Sequence, residues 1–203
     1  MTISIPDHVI VLDYGRVVSL EQSPADRARI EEIAGVGDAI WTAYRELRHP
    51  LDQGTLSADE FWRRIGASVG RDWDLATRHA LWSADLRSWL TVDATTVQIV
   101  DELLAGGTRV VLLSNAGFDF ASPYRHSPLG ARLEHVFVSA EHDLLKPDAR
   151  LYRHVAETVG VPTERLVMID DRAENVRGVE ALGGRGHVHT DAAALRAFLI
   201  ALR

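Results

Sequence analysis

Four short aliphatic runs govern what this chain can fold into: Val9 to Leu12, Val110 to Leu113, Val136 to Val138 and Leu166 to Ile169. Each is too short for a helix, is bounded by polar or turn-forming residues, and lacks the polar alternation of a half-exposed strand. Such runs are strands covered on both faces, as in a parallel sheet. Parallel neighbours need a crossover between them, and helices are the usual one. The sequence supplies them. Val97, Val100, Leu103 and Leu104 form one helical face that stops at Gly106-Gly107; Leu151, Tyr152, Val155 and Val159 form another that stops at Gly160; Val176, Val179 and Leu182 form a third before Gly183-Gly184. A weaker fifth strand falls around Gly186 to His189, where His187 and His189 alternate onto one face of an edge strand. The pattern predicts an α/β fold, a doubly wound parallel sheet with right-handed crossovers.

Between the first and second strands the texture changes. Residues 20–92 are rich in Trp, Arg, Ala and Glu and carry no strand-like run. Helices are expected from about Pro24 to Ala34, around Gly37 to Leu47, from a capping box in which Ser57 precedes Glu60, and from Leu75 to Leu86. The chain therefore divides into an α/β core, residues 1–19 and 93–203, and a helical insertion, residues 20–92.

Composition narrows the function classes. A formal charge of -7 with 46% hydrophobic residues describes a globular chain that lacks the basic surface of a nucleic-acid binder. There is no cysteine, so thiolate metal sites and disulfides are out, and the nine histidines show no pair spaced for zinc. No apolar run is long enough to span a membrane, and the opening MTISIPDH has no basic, apolar leader pattern. A cytoplasmic protein with a small ligand, neither nucleic acid nor membrane, is the expectation.

In an open parallel sheet, ligands bind beyond the carboxyl ends of the strands. The residues found there are Asp13 after the first run, Ser114 and Asn115 after the second, Lys146 in the segment following the third, and Asp170-Asp171 after the fourth. Taken singly, each has an ordinary explanation: a turn former, a turn, a solvated charge, an N-cap. Their shared placement at strand ends is what sets them apart, because it brings three carboxylates, one lysine and small polar donors to one edge.

These stretches, LDYGRVV, LLSNAG, LLKPDARLY and MIDDRAEN, resemble the four signatures of the haloacid dehalogenase (HAD) superfamily, whose members are mostly magnesium-dependent phosphohydrolases working through an aspartyl-phosphate. The resemblance implies a Rossmann-like core with residues 20–92 as a helical cap. It resembles in particular the sugar-phosphate phosphatase group with Gly two residues after the nucleophile. By this resemblance Asp13 is the nucleophile. Mg²⁺ is held by Asp13, the carbonyl of Gly15, Asp170 and Asp171; Ser114, Asn115 and Lys146 bind the phosphoryl group of a small phosphorylated substrate; and Asn175 supports them. Arg16, beside the nucleophile, is placed to reach the phosphate or to pair with a carboxylate, and Arg45 on the cap helix to meet the substrate. Trp41, Tyr44, Arg45 and Arg48 recur at helical spacing, as core of the cap or as a face toward substrate, and the Asp52-Gln53-Gly54 turn is placed near the site.

Gly15 is the departure, since most phosphatases of the superfamily carry there a second Asp that protonates the leaving group. A substrate with a good leaving group, such as an anomeric sugar phosphate, or a proton donor from the cap or water would compensate. Two other function classes stay open: a catalytically impaired binding protein, favoured by Gly15 and Arg16, and a 2-haloacid dehalogenase, which the acidic pair Asp170-Asp171 opposes.

Overall fold

The computed structural model describes residues 2–202. Its five strands, β1 (Val9–Leu12), β2 (Arg109–Ser114), β3 (His135–Val138), β4 (Leu166–Asp170) and β5 (Arg185–Val188), form one sheet in the order β3-β2-β1-β4-β5. Every pairing is parallel, with β1 between β2 and β4: Val9 lies opposite both Arg109 and Leu166. The strand order reverses direction around β1, so its carboxyl end opens into the crevice where a doubly wound sheet receives ligand.

Alternation along the central strands explains the two layers. Ile10, Leu12, Val110, Leu112, Val167 and Ile169 pack on one face, with α5 (Ala94–Ala105), α6 (Phe118–His126) and α9 (Ala192–Ala201). Val9, Val11, Val111, Leu113 and Met168 point to the other, against Leu151, Tyr152 and Val155 of α7 (Ala149–Thr158) and Val179 of α8 (Ala173–Glu180). Both faces are covered, which is why these runs read as continuous apolar sequence. The edge strand β5 is only partly buried, and that weakens its sequence signal.

The insertion between β1 and α5 consists of α1 (Pro24–Ala34), α2 (Ile40–Gln53), α3 (Ala58–Ser68) and α4 (Leu75–Ser88), which share a core of their own around Ile30, Ile40, Trp41, Tyr44, Phe61, Trp62, Ile65 and Leu81. Its two connections to the sheet layer run side by side: Ser19 bridges Val92, the Leu20 amide donates to the Thr91 carbonyl at 2.8 Å, and the Asp93 amide donates to the Val18 carbonyl at 2.9 Å. Capping residues fix the helix starts. Ser23 accepts from the Asp26 amide with Pro24 in the first turn, and Asp74 accepts from the Thr77 amide.

Three local expectations need correction. The capping box at Ser57 is half formed: its hydroxyl accepts from the Glu60 amide, but the Glu60 carboxylate pairs with Arg63 and Arg64 rather than turning back. The helix expected from Gly37 to Leu47 starts with a 3-10 turn, Gly37–Ala39, and continues as α2 to Gln53 with Pro50 inside its last turns. Asp52 and Gln53 are therefore helical, and only Gly54, at φ 85, turns the chain. Finally, α6 and α9 were not legible as helices in the sequence.

Candidate active site

Asp13 follows β1 directly, and its amide donates to the Ile169 carbonyl, continuing the ladder with β4. The strand thus delivers the carboxylate at the crevice and nowhere else. Asp170 closes β4 beside it, fully buried. Lys146 lies between them, its side chain 1% exposed, and its Nζ donates to Asp13 Oδ1 and to Asp170 Oδ2, each at 2.7 Å.

Burial of a lysine this complete requires paired charge around it. The loop that carries Lys146 is locked by Asn115, whose side chain donates to the Lys146 carbonyl at 3.1 Å and accepts from the Lys146 amide at 2.9 Å. Asp170 is held in turn by Asn175 Nδ2, at 2.9 and 3.0 Å from its two oxygens, and by the Arg172 amide at 2.9 Å. The Tyr152 hydroxyl donates to the Asn175 carbonyl at 2.9 Å and anchors that support to the core.

The third carboxylate, Asp171, pairs with Arg16, whose guanidinium lies 3.0 Å from Oδ2. Arg16 takes a left-handed conformation, φ 61, uncommon for a residue with a side chain, and it is half-exposed at the mouth of the crevice. Of the two expectations for Arg16, the carboxylate pairing is the one formed.

Oxygen atoms of Asp13, Asp170 and Asp171 all come within 4.8 Å of one another. Three carboxylates against Lys146 and Arg16 leave an excess of negative charge. Burial, with Asp170 and Asp171 adding to it against the pull of Lys146, pushes the Asp13 carboxyl up to about 7. Burial and Asp170 likewise raise Asp171, with Arg16 opposing. Burial works against the Lys146 charge, but Asp13 and Asp170 outweigh it and raise its pKa. An oxygen-only donor set with unbalanced negative charge suits a hard divalent cation such as Mg²⁺, and no thiolate or imidazole in it favours zinc.

A cavity of about 320 Å³ lies over this cluster, bounded below by Asp13, Gly15, Ser114, Asn115 and Lys146 and above by Arg45, Arg48, His49 and Asp52 of α2. All the site residues expected from sequence border this cavity except Asp170, which sits buried behind Lys146. The insertion is fixed over the core at the end of α2. The Ser139 hydroxyl donates to the Asp52 carbonyl at 2.5 Å, and Gln53 Nε2 donates to the Asp143 side chain at 3.1 Å.

Trp41 and Tyr44 prove to be core of the insertion, while Arg45 is exposed on the cavity wall. Arg48 turns inward to a polar network. Its Nε lies 3.0 Å from Asp52 Oδ1, and its second nitrogen 3.2 Å from the Tyr44 hydroxyl and 3.3 Å from Asp85 Oδ2. Sequence reasoning did not find Asp85, His49, Trp89, Phe120 or Tyr124. Their place in or behind the cavity depends on how the two layers meet, which leaves no local signal.

The arrangement defines a class before any comparison: a doubly wound α/β protein with an attacking-type carboxylate, a buried lysine and an acidic pair at the strand ends, under a helical insertion. The chain belongs to the haloacid dehalogenase-like hydrolases, whose family model matches residues 14–183. Among curated relatives it is 24% identical over 145 residues to the sesquiterpene phosphatase astK of Aspergillus oryzae, covering 71% of this chain and 72% of that one. Among the solved structures that share the fold are two enzymes. One is the HAD family enzyme bt-2542 of Bacteroides thetaiotaomicron in complex with magnesium and inorganic phosphate, with TM-score 0.66, 15% identity, and coverage of 90% of this chain and 94% of that one. The other is the L-2-haloacid dehalogenase of Xanthobacter autotrophicus, with TM-score 0.67, 18% identity, and coverage of 96% and 82%. Among the described residues no helix is long and apolar enough to cross a membrane.

Proposed function

We propose that this hydrolase is a Mg²⁺-dependent phosphatase acting on a small phosphorylated metabolite through a covalent intermediate on Asp13, with residues 20–92 serving as the cap that excludes water. The observation that carries it is the Asp13–Lys146–Asp170 chain of 2.7 Å contacts beside Asp171, beneath a cavity walled by Arg45, Arg48 and His49. A dehalogenase fold is equally similar, so the fold does not choose; the acidic pair supports the phosphatase reading. Displacing halide from carbon needs no second and third carboxylate, whereas a dianionic phosphate ester needs its charge balanced.

Asp13, Asp170, Asp171 and the Gly15 carbonyl would hold the cation, which when bound screens the repulsion between carboxylate nucleophile and phosphate. The rest falls to the chain. The Asp13 oxygen not held by Lys146 attacks phosphorus; Lys146 keeps the other oxygen fixed and adds positive charge near the phosphoryl oxygens. Ser114 and the main chain near Asn115 offer donors on the same floor of the cavity, while the Asn115 side chain serves by fixing the Lys146 loop. Arg45, without a partner carboxylate among the described residues, faces the part of the substrate beyond the phosphate.

The name of the Aspergillus relative extends the candidate substrates from sugar phosphates to isoprenoid phosphates; the polar wall of Arg45, His49 and Arg16 favours the former. The test is release of inorganic phosphate from sugar 1-phosphates, sugar 6-phosphates and a sesquiterpenyl phosphate, with Mg²⁺, with chelator, and with Asp13→Asn. Metal-dependent turnover abolished by the substitution is expected; silence from the folded protein across the panel would overturn the proposal.

A further inference from the structure

We propose that Asp52 of the helical insertion is the proton donor and acceptor for the reaction at Asp13. The inference rests on the phosphatase function proposed above and adds to it the group that moves the proton.

The chemistry demands such a group. When Asp13 takes the phosphoryl group, the bond from phosphorus to the ester oxygen breaks and that oxygen leaves with the electron pair, so an alkoxide must receive a proton. When water then attacks the phosphorus of the aspartyl-phosphate, the bond to Asp13 breaks and the water gives up a proton. One carboxyl can serve both steps, giving its proton to the leaving oxygen and regaining it from the water. Gly15, two residues after Asp13, has no side chain to offer.

The cavity narrows the choice. Asp13 and Asp171 belong to the acidic cluster, and Lys146 is pinned between two carboxylates. The arginines keep their protons, and burial raises the Tyr124 hydroxyl well above its usual range. His49 and Asp52 remain. His49 is exposed, and among the described residues none holds its side chain by a hydrogen bond.

Asp52 is held. Its main-chain carbonyl accepts from Ser139 of the sheet layer, and Arg48 reaches its Oδ1 through both Nε and the terminal nitrogen, each at 3.0 Å. Its Oδ2 accepts no hydrogen bond from the described residues. The groups facing it are Arg48 and Tyr44 on its own helix, Asp85 on α4 and Asp119 on α6, two carboxylates against one guanidinium. Burial chiefly, with Asp85 and Asp119 adding and Arg48 opposing, pushes the Asp52 carboxyl up to about 6, where it exchanges a proton readily near neutrality.

The test compares esters whose leaving groups differ in their need for a proton: an alkyl phosphate, and 4-nitrophenyl phosphate, whose phenoxide departs unaided. For Asp52→Asn, kcat/KM on the alkyl ester should fall about 10²- to 10⁴-fold and on the nitrophenyl ester by less than about tenfold. In that background Gly15→Asp should restore the alkyl ester preferentially, since a Cβ at Gly15 meets nothing closer than the Trp89 ring at 3.8 Å. His49→Gln should change both esters by one factor. An equal loss on both esters for Asp52→Asn, or the leaving-group-dependent loss appearing in His49→Gln, would overturn the role of Asp52 while leaving the phosphatase standing. A wild-type protein that hydrolyses neither ester, nor any of the panel above, would overturn the phosphatase and this role with it.

Discussion

Replacing Arg48 by methionine isolates the charge in the network that joins the insertion to the site. Methionine keeps an apolar stem against Phe120, over whose ring the guanidinium lies at 5.7 Å, but leaves two acids without their cation. The side chains involved are 21% exposed for Arg48, 14% for Asp52 and 6% for Asp85, so little water can replace the guanidinium. Breaking a buried pair by removing one partner costs roughly 3–5 kcal/mol. Asp85 keeps two donors, the Tyr44 hydroxyl at 2.6 Å and Gln22 Nε2 at 3.1 Å, which places the loss at the lower end, about 3 kcal/mol. For a chain of this size that is a fall in Tm of roughly 6–12 °C.

The pH dependence has a definite sign. Burial already raises Asp52 and Asp85 above their unfolded values, and losing Arg48 raises them further. An acid raised in the folded state binds more protons folded than unfolded, so its stability contribution is fullest below the unfolded value, about 3.9, and is lost as pH rises through the folded one. The deficit of Arg48→Met relative to wild type should therefore be largest above about pH 7 and shrink toward about pH 4. Urea unfolding of both proteins across that range measures it, and the wild-type curve subtracts the other buried acids. A deficit below about 1 kcal/mol at neutral pH, the value of an exposed pair, or one that does not change on acidification, would refute the argument.

Lys146→Met removes the cation between Asp13 and Asp170, both buried; turnover should vanish and stability fall by roughly 3–5 kcal/mol, read by phosphate release and urea unfolding, and full stability would show that the pair is not desolvated. Mg²⁺ should raise the melting temperature of the wild-type protein, by the equivalent of about 2.7 kcal/mol at a hundred times its Kd, and do so much less for Asp171→Asn; equal shifts in both would place the cation elsewhere. Asn175→Ala withdraws both side-chain hydrogen bonds from Asp170 and should cost roughly 1.5–3 kcal/mol for each bond to a charged group, visible in the unfolding midpoint. Gly54→Ala meets a positive φ of 85 and a Cβ 2.5 Å from the Ala140 carbonyl. It should lift the end of α2 from the sheet layer and expose the Gln53 and Asp143 main chain to faster hydrogen exchange.

The parts of the fold legible in sequence are those whose burial pattern is local. β1 to β4 were legible because both their faces are covered, and Val9–Leu12 was read to the residue. α1 was read from about Pro24 to Ala34, and the structure shows Ser23, Pro24 and Gly35 marking its two ends. α6 hid because Pro123 lies inside it and its buried face is short, only Phe120, Ala121 and Tyr124, while α9 is apolar almost throughout, so no amphipathic face stands out. The end of α2 departs in the opposite sense. The helix expected to stop near Leu47 runs on through Pro50 to Gln53, because the fixing of the α2 end by Ser139 and Gln53 carries it past the proline.

The site divides along the same line. Asp13, Ser114, Asn115, Asp170 and Asp171 were legible because a parallel sheet places every strand's carboxyl end on one edge, so that residues far apart in sequence share a location once the strands are found. Asp85 and His49 obey no such rule, and Asp52 was placed near the site only as part of a turn that proves helical. Asp52 reaches the site through a hydrogen bond from Ser139, 87 positions away, and its environment is set by Asp85 of another helix. The position that lacks an acid, Gly15, is thus in the half of the site that strand ends define, and the carboxyl proposed to replace it is in the half that only layer packing defines. A proton donor on the insertion has a consequence that one beside the nucleophile would not. It is present only while α2 rests on the sheet layer, so proton transfer and exclusion of water depend on the same contact. Loosening that contact, as Gly54→Ala should, ought then to slow esters that need a proton more than esters that do not, even though the acidic cluster below is left intact.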